Sequence, residues 1–243
     1  EFGHFLLREL ERHGIDTSAA VIDPYLKTGL TVILSRGADR AILTFPGCIP
    51  ALCYEEIDLS YLARARHLHI GSYFLLDALR PDFPALFDLA HNHTLTVSMD
   101  TNYDPSETWD DGLWECLERT DIFLPNEAEL RVIFQTITRN EGTLETSLNF
   151  FAQRVPTVAA KLGAQGAIAQ RGQEVTKANA LSLEVVDTTG AGDTFDAGFI
   201  YGHLAKWNLQ RTLHFACICG SLSTRAAGGT GAQPTSEEVL KFM

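Results

Sequence analysis

The sequence predicts an α/β fold: a mainly parallel sheet with helices on both faces and a small β appendage near its start. Three observations predict it. From residue 67 onward, short strand-length apolar runs alternate with longer runs of helical period, the pattern of a sheet covered on both sides. The small-residue and acidic motifs fall just after strand-like runs, where ligands sit in such sheets. Upstream, two apolar runs at 31–34 and 41–44 flank Gly37-Ala38-Asp39 and read as a hairpin.

The chain opens in an amphipathic helix, with Phe2, Phe5, Leu6 and Leu10 on one stripe and Gly14 as its stop. A short helix starts at 60–63. Strands are predicted near 67–70, 95–99, 122–124, 157–161, 167–170 and 181–186. Helices are predicted near 83–91, 112–118, 127–134, 143–154, 192–206, 209–225 and 236–242. There is no internal repeat, low-complexity tract or long linker. The expectation is therefore one domain over 1–243, with about 19–50 supplying the β appendage.

Apolar residues make up 45% of the 243, ample for a buried core. A net charge of −12 argues against a nucleic-acid or anionic-membrane partner, but not against a small anion held by local N–H groups and a metal. Cys48, Cys53, Cys116, Cys217 and Cys219 form no CxxC and no disulfide ladder, which suits a reducing cytoplasm. No apolar run reaches membrane-spanning length.

The most informative stretch is Asp187-Thr188-Thr189-Gly190-Ala191-Gly192-Asp193-Thr194-Phe195. Small residues opening a helix expose N–H groups that favour an anion. An acid at that place repels a phosphate unless it has another task, and the economical task is general base. Asp193 then takes a proton from a hydroxyl, while Gly190, Ala191 and Gly192 hold charge on the phosphoryl group under attack. On these residues alone, a plain tight turn with a dipole partner stands equally as a reading.

Asn126 and Glu129 open another helix three residues apart, on one face, and Asn126 after Pro125 is also a good N-cap. Gly163 and Gly166 bracket a turn between two strands, with Lys161 at its start. Asp100 and Asn102 follow a strand and equally read as an Asx turn reinforced by Pro105. His67 and His69 share one face of a strand without a Cys or acid at metal spacing. No Gly-x-x-x-x-Gly-Lys-Ser/Thr loop occurs, and Gly190-x-Gly192 lacks the third glycine of a dinucleotide fingerprint.

Residues 187–198 resemble the C-terminal signature of the ribokinase-like (PfkB) carbohydrate kinases. So do 31–34 with 40–44 (a lid hairpin), Asp100-Thr101-Asn102, Asn126-Glu127-Ala128-Glu129, the loop 161–167, and Gly231-Ala232-Gln233-Pro234-Thr235. The resemblance implies a three-layer fold and transfer of the ATP γ-phosphoryl group to a sugar hydroxyl. It assigns Asn126, Lys161, Gly163, Gly166 and Cys217 to the nucleotide, with Cys217 where relatives often carry Asn or His near adenine. It links Asn126 and Glu129 to magnesium, mostly through water. It assigns Asp100 and Asn102, with Asp193, to the acceptor, although Asp104 stands where related kinases show Arg. Asp187, Thr189, Ser223 and Gly231 match positions that bind a monovalent cation such as potassium. An exposed lid suggests a homodimer. The family's first strands, with their Asp and Gly-Gly…Asn motifs, have no counterpart here, so the sequence reads as lacking an N-terminal segment. A nucleoside kinase and a non-catalytic relative are the alternatives.

Overall fold

A computed structural model of the protein describes residues 1–36 and 39–243. In order, these form α1 (Phe2–Arg12), β1 (Leu30–Arg36), β2 (Asp39–Phe45), α2 (Leu59–Leu62), β3 (His67–Ile70), α3 (Phe83–Asn92) and β4 (Thr96–Met99). Next come α4 (Leu113–Leu117), β5 (Ile122–Phe123), α5 (Glu127–Thr138), α6 (Leu144–Ala152) and β6 (Thr157–Lys161). Then follow β7 (Ala167–Arg171), β8 (Glu174–Ala178), α7 (Ala191–Leu204), α8 (Leu209–Ser223) and α9 (Ser236–Leu240).

The main sheet runs β3-β4-β5-β6-β7-β8. The first three pairings are parallel and the last two antiparallel. Side-chain alternation assigns its two faces. Phe123, Val158, Ala160 and Ile168 enter the core made with α3–α6. Ile122, Leu124, Ala159, Ala167 and Ala169 point the other way, into a core with Phe195 and Phe199 of α7 and Leu213 and Ala216 of α8. Alternate residues of one strand thus feed both layers, as the two-fold period requires. The α7–α8 contact is tight because Gly198 and Gly202 lie on it. A Cβ on Gly198 would meet Cys219 Sγ at 2.8 Å, and one on Gly202 would meet Thr212 Cγ2 at 2.9 Å.

The hairpin forms as predicted: β1 and β2 pair antiparallel, with Thr31 opposite Thr44 and their hydroxyls 3.1 Å apart. Gly37 and Ala38 of its predicted turn lie outside the described residues. Leu30, Val32, Leu34, Leu43 and Phe45 of the hairpin are exposed. The apolar stripe of α1 is present too, but Phe2, Phe5 and Leu6 are likewise exposed.

One predicted strand is wrong. Residues 181–186 form no strand; the last strand of the sheet is β8, at 174–178. In β8 the buried positions are Thr176 and Ala178, while Val175 faces solvent, so its hydrophobic pattern is weak. In 181–186 the backbone finds partners outside any ladder. Leu181 N–H donates to Ser221 Oγ and Val186 N–H to the Thr224 carbonyl, both at the end of α8. Leu181 and Leu183 pack on α8 and α9 instead of a sheet. The glycine-rich turn before α7 therefore follows an irregular segment, not a strand.

Candidate active site

The N-terminus of α7 is set by Gly190, its N-cap, at φ +73°. A side chain there would be strained by the backbone and would meet the Gly229 carbonyl at 2.7 Å. The turn thus requires glycine. Ala191 N–H donates to the Thr188 carbonyl at 3.2 Å. This corrects the expectation that all three small residues offer an N–H to an anion: a tightened first turn uses the middle one. The N–H groups of Gly192 and Asp193 have no acceptor among the described residues. Asp193 itself is exposed, and its carboxylate has no hydrogen-bond partner among the described residues.

One helical turn further on, Asp196 is buried to 1% exposure, and it was not singled out by the sequence. It joins two residues that were. Lys161 Nζ, at the end of β6, donates to Asp100 Oδ2 at 2.7 Å and reaches both Asp196 oxygens at 3.2 Å. Burial opposes the charge on Lys161, but the two carboxylates outweigh it and raise its pKa. Burial also opposes ionisation of Asp100, where the ammonium wins and the pKa falls. Asp196 is deeper and faces Asp100 as well, so its pKa rises well above the ordinary value. The signal for Asp196 was legible: a lone carboxylate among Phe195, Gly198 and Phe199 on a helix otherwise apolar at those turns.

Asn126 and Glu129 form a reciprocal cap on α5. Glu129 N–H donates to Asn126 Oδ1, and Asn126 N–H donates to Glu129 Oε2, both at 2.9 Å. Burial, then the charge on Asp100, raises the Glu129 pKa. Glu129 Oε1 has no partner among the described residues. A buried carboxylate with one oxygen held and one free suits magnesium, which needs few protein carboxylates.

Asp100 also accepts Asn102 N–H at 3.0 Å, and Asn102 Nδ2 donates to Ser72 Oγ at 3.2 Å, tying the loop after β4 to the loop after β3. Asp104 is a turn organiser: buried, it accepts N–H bonds from Ser106 at 2.8 Å and Trp109 at 2.7 Å.

A cavity of about 470 Å³ opens beside this cluster. Its walls include Lys161, Gly163 and Gly166 of the β6–β7 turn, Ala191 and Gly192 of α7, and Cys217 of α8. Leu181, Leu183 and Val185, from the segment misread as a strand, complete it. The Cys217 thiol is buried, which pushes its pKa up to about 12, and it contacts the Ala178 carbonyl at 3.6 Å. It offers the cavity an apolar surface. Asp100, Asn102, Asn126 and Asp193 do not line this space.

The proposed monovalent-cation residues are assembled only in part. Asp187 Oδ1 accepts from Thr189 N–H at 2.9 Å and Thr189 Oγ1 at 2.8 Å, and Oδ2 accepts from Gly228 N–H at 2.9 Å. Ser223 Oγ instead turns to the Gly220 carbonyl at 2.9 Å, and a Cβ on Gly231 would meet only Ala226 and Ala227. Among the described residues there is no cluster of three or more His, Cys, Asp or Glu able to hold a metal by themselves.

The model of the pfkB family of carbohydrate kinases matches residues 1–236. The chain belongs to this family. It is 30% identical over 232 residues to a protein described as an uncharacterized sugar kinase from Archaeoglobus fulgidus, covering 93% of this chain and 85% of that one. It is also 30% identical over 239 residues to an ATP-dependent ribose-1-phosphate kinase from Halopiger xanaduensis, covering 97% of this chain and 74% of the relative. Among solved structures, a putative ribokinase II from E. coli in complex with ATP and Mg²⁺ superposes with a TM-score of 0.87 at 25% identity, covering 99% of this chain and 79% of that one. As a pfkB-family chain it is a carbohydrate kinase, and its mixed sheet with helices on both faces is the ribokinase-like fold. Among the described residues, no helix is long and apolar enough to cross a membrane.

Proposed function

We propose that this pfkB-family protein transfers the ATP γ-phosphoryl group to a hydroxyl of a small sugar, with Asp193 as general base. The observation that carries this is the start of α7. An exposed carboxylate with no hydrogen-bond partner among the described residues stands beside two N–H groups that likewise have no acceptor among them, and next to Gly192, which lines the cavity with Lys161. Asp193 takes the hydroxyl proton, the oxygen attacks the γ-phosphorus in line, and ADP leaves. The N–H groups of Gly192, in the Gly190–Gly192 turn, and of Asp193, just after it, hold charge as it develops. Lys161 adds a cation whose position is fixed: its Nζ lies 3.7 Å from where a Cβ on Gly192 would stand.

ATP would occupy the cavity, with Gly163, Gly166 and Cys217 around it and Asn126 near the phosphates. Glu129 would hold magnesium through water, and the metal supplies charge neutralisation on the phosphates. Asp100 and Asn102 belong to the acceptor side. The β1–β2 hairpin would close over the site and exclude water, and its exposed apolar face supports pairing of two copies. The partly assembled set at Asp187 and Thr189 supports a role for potassium less well than Glu129 supports magnesium.

The test is ADP release with a panel of D-ribose, ribose 1-phosphate, D-fructose and adenosine. Turnover with a sugar and not with adenosine supports the reading. Turnover with adenosine alone replaces the acceptor class, and ADP release with none contradicts it.

A further inference from the structure

The strand pair β3–β4 carries a polar array that the mechanism above does not use. His67, His69, Thr96 and Ser98 lie on the sheet face covered by α7, in register: His67 opposite Thr96 and His69 opposite Ser98. His67 Nδ1 is 2.7 Å from Thr96 Oγ1 and its Nε2 is 2.7 Å from Ser98 Oγ. Ser98 Oγ is in turn 2.8 Å from His69 Nδ1. The His203 ring of α7 closes the far end of the array, 6.0 Å from the His67 ring.

Ser98 is fully buried and has one proton to give, so it donates to one imidazole and accepts from the other. Burial, with the neighbouring histidines, pushes the His67 pKa down to about 4, and burial lowers that of His69 too. With both rings neutral, the direction of the chain Thr96–His67–Ser98–His69 sets the tautomer of His69. Its last atom, His69 Nε2, has no partner among the described residues.

That free nitrogen sits at the carboxyl end of β3. Ser98 and Asp100 share a face of the neighbouring strand and its continuation, and Ser72 and Asn102 close the two loops above. Asp100, Lys161 and Asp193 are the charges that act on the His69 ring. The nucleotide cavity lies elsewhere, between the β6–β7 turn and α8.

We infer that His69 contacts the phosphoryl acceptor directly: its Nε2, held by the Ser98 relay beside Asp100 and Asn102, takes one hydroxyl of a small polyol. A hydroxyl both donates and accepts, so either direction of the relay serves it. The inference rests on the kinase reading above.

Two substitutions separate contact from structure. The amide of His69→Asn reaches where Nδ1 stood, keeping the Ser98 bond and losing Nε2. That of His69→Gln reaches where Nε2 stood. KM for acceptor, KM for ATP and kcat are measured for both, using whichever panel acceptor the wild type turns over. The expected result is a rise of about 3- to 15-fold in acceptor KM for His69→Asn. Its ATP KM stays unchanged, and His69→Gln stays within a few-fold of wild type. The reverse order, equal values for the two, or a parallel rise in ATP KM overturns the inference alone. A wild type that releases ADP with no acceptor overturns the kinase reading, and the assignment falls with it.

Discussion

Lys161 Nζ lies 2.7 Å from Asp100 Oδ2, and this contact joins the wall of the cavity to the loop after β4. Lys161 ends β6 and lines the cavity, and Asp100 follows β4 and leads into Asn102. Asp196, 3.2 Å from the same ammonium, fastens both to α7 one turn beyond Asp193. Three segments far apart in sequence are thus registered by one buried cation.

Removing that cation leaves two buried carboxylates without a counter-charge. Breaking a buried ion pair from one side costs about 3–5 kcal/mol. Lys161→Met is expected to lose stability in that range by urea denaturation. The loss shrinks in Lys161→Met combined with Asp196→Asn, because fewer charges are stranded. Additive losses in the double variant would contradict the coupling.

The two carboxylates titrate in opposite senses. The raised pKa of Asp196 means that its stabilising contribution is complete below 3.8 and is lost as pH rises through the folded value. Asp100, with its lowered pKa, contributes above 3.8 and loses that contribution as pH falls through its folded value. Asp196→Asn is therefore expected to gain stability relative to wild type as pH rises, and Asp100→Asn to flatten the loss toward acid. Denaturation midpoints across a pH series check both, and curves parallel to wild type would refute the assignment.

Glu129 caps α5, and the proposed hold on magnesium is separable from that cap by substitution. Glu129→Gln keeps an oxygen for the Asn126 N–H, so stability holds while the magnesium concentration for half-maximal turnover rises. Glu129→Ala also loses the capping bond, at about 0.5–1.5 kcal/mol. Thermal melting and a magnesium titration of both variants distinguish the roles. An unchanged magnesium requirement in Glu129→Gln would leave only the cap.

Gly190→Ala places a Cβ 2.7 Å from the Gly229 carbonyl at a left-handed backbone position. The loop 226–231 or the turn must move, so ATP affinity is expected to fall along with stability by more than about 1 kcal/mol. Calorimetric titration with ATP and a denaturation curve measure the two together.

The sequence made legible what depends on local chemistry. Asn126 after Pro125 reads as an N-cap, and the cap is there, with Glu129 completing it. Thr31–Thr44 pairing follows from two apolar runs around a turn signal. The small residues Gly190, Ala191 and Gly192 before an acid mark a helix start, and α7 starts there. What failed depends on tertiary partners. Val175 points outward on β8 while Thr176 and Ala178 point in, so the strand carries an inverted pattern. Leu181 and Leu183 look like a strand but spend their apolar surface on α8 and α9. Ala191 was expected to offer its N–H, and only the folded turn shows that Thr188 takes it. Asp196 matters through Lys161 and Asp100, a meeting that spacing along the chain does not reveal.

In the proposed mechanism, Asp193 removes the proton from the acceptor hydroxyl. Single-turnover phosphoryl transfer by Asp193→Asn, with ATP affinity measured on the same preparation, tests it most directly. The expected rate is lower by about 10²–10⁴-fold, with ATP affinity within a few-fold of wild type. Transfer at the wild-type rate would contradict it.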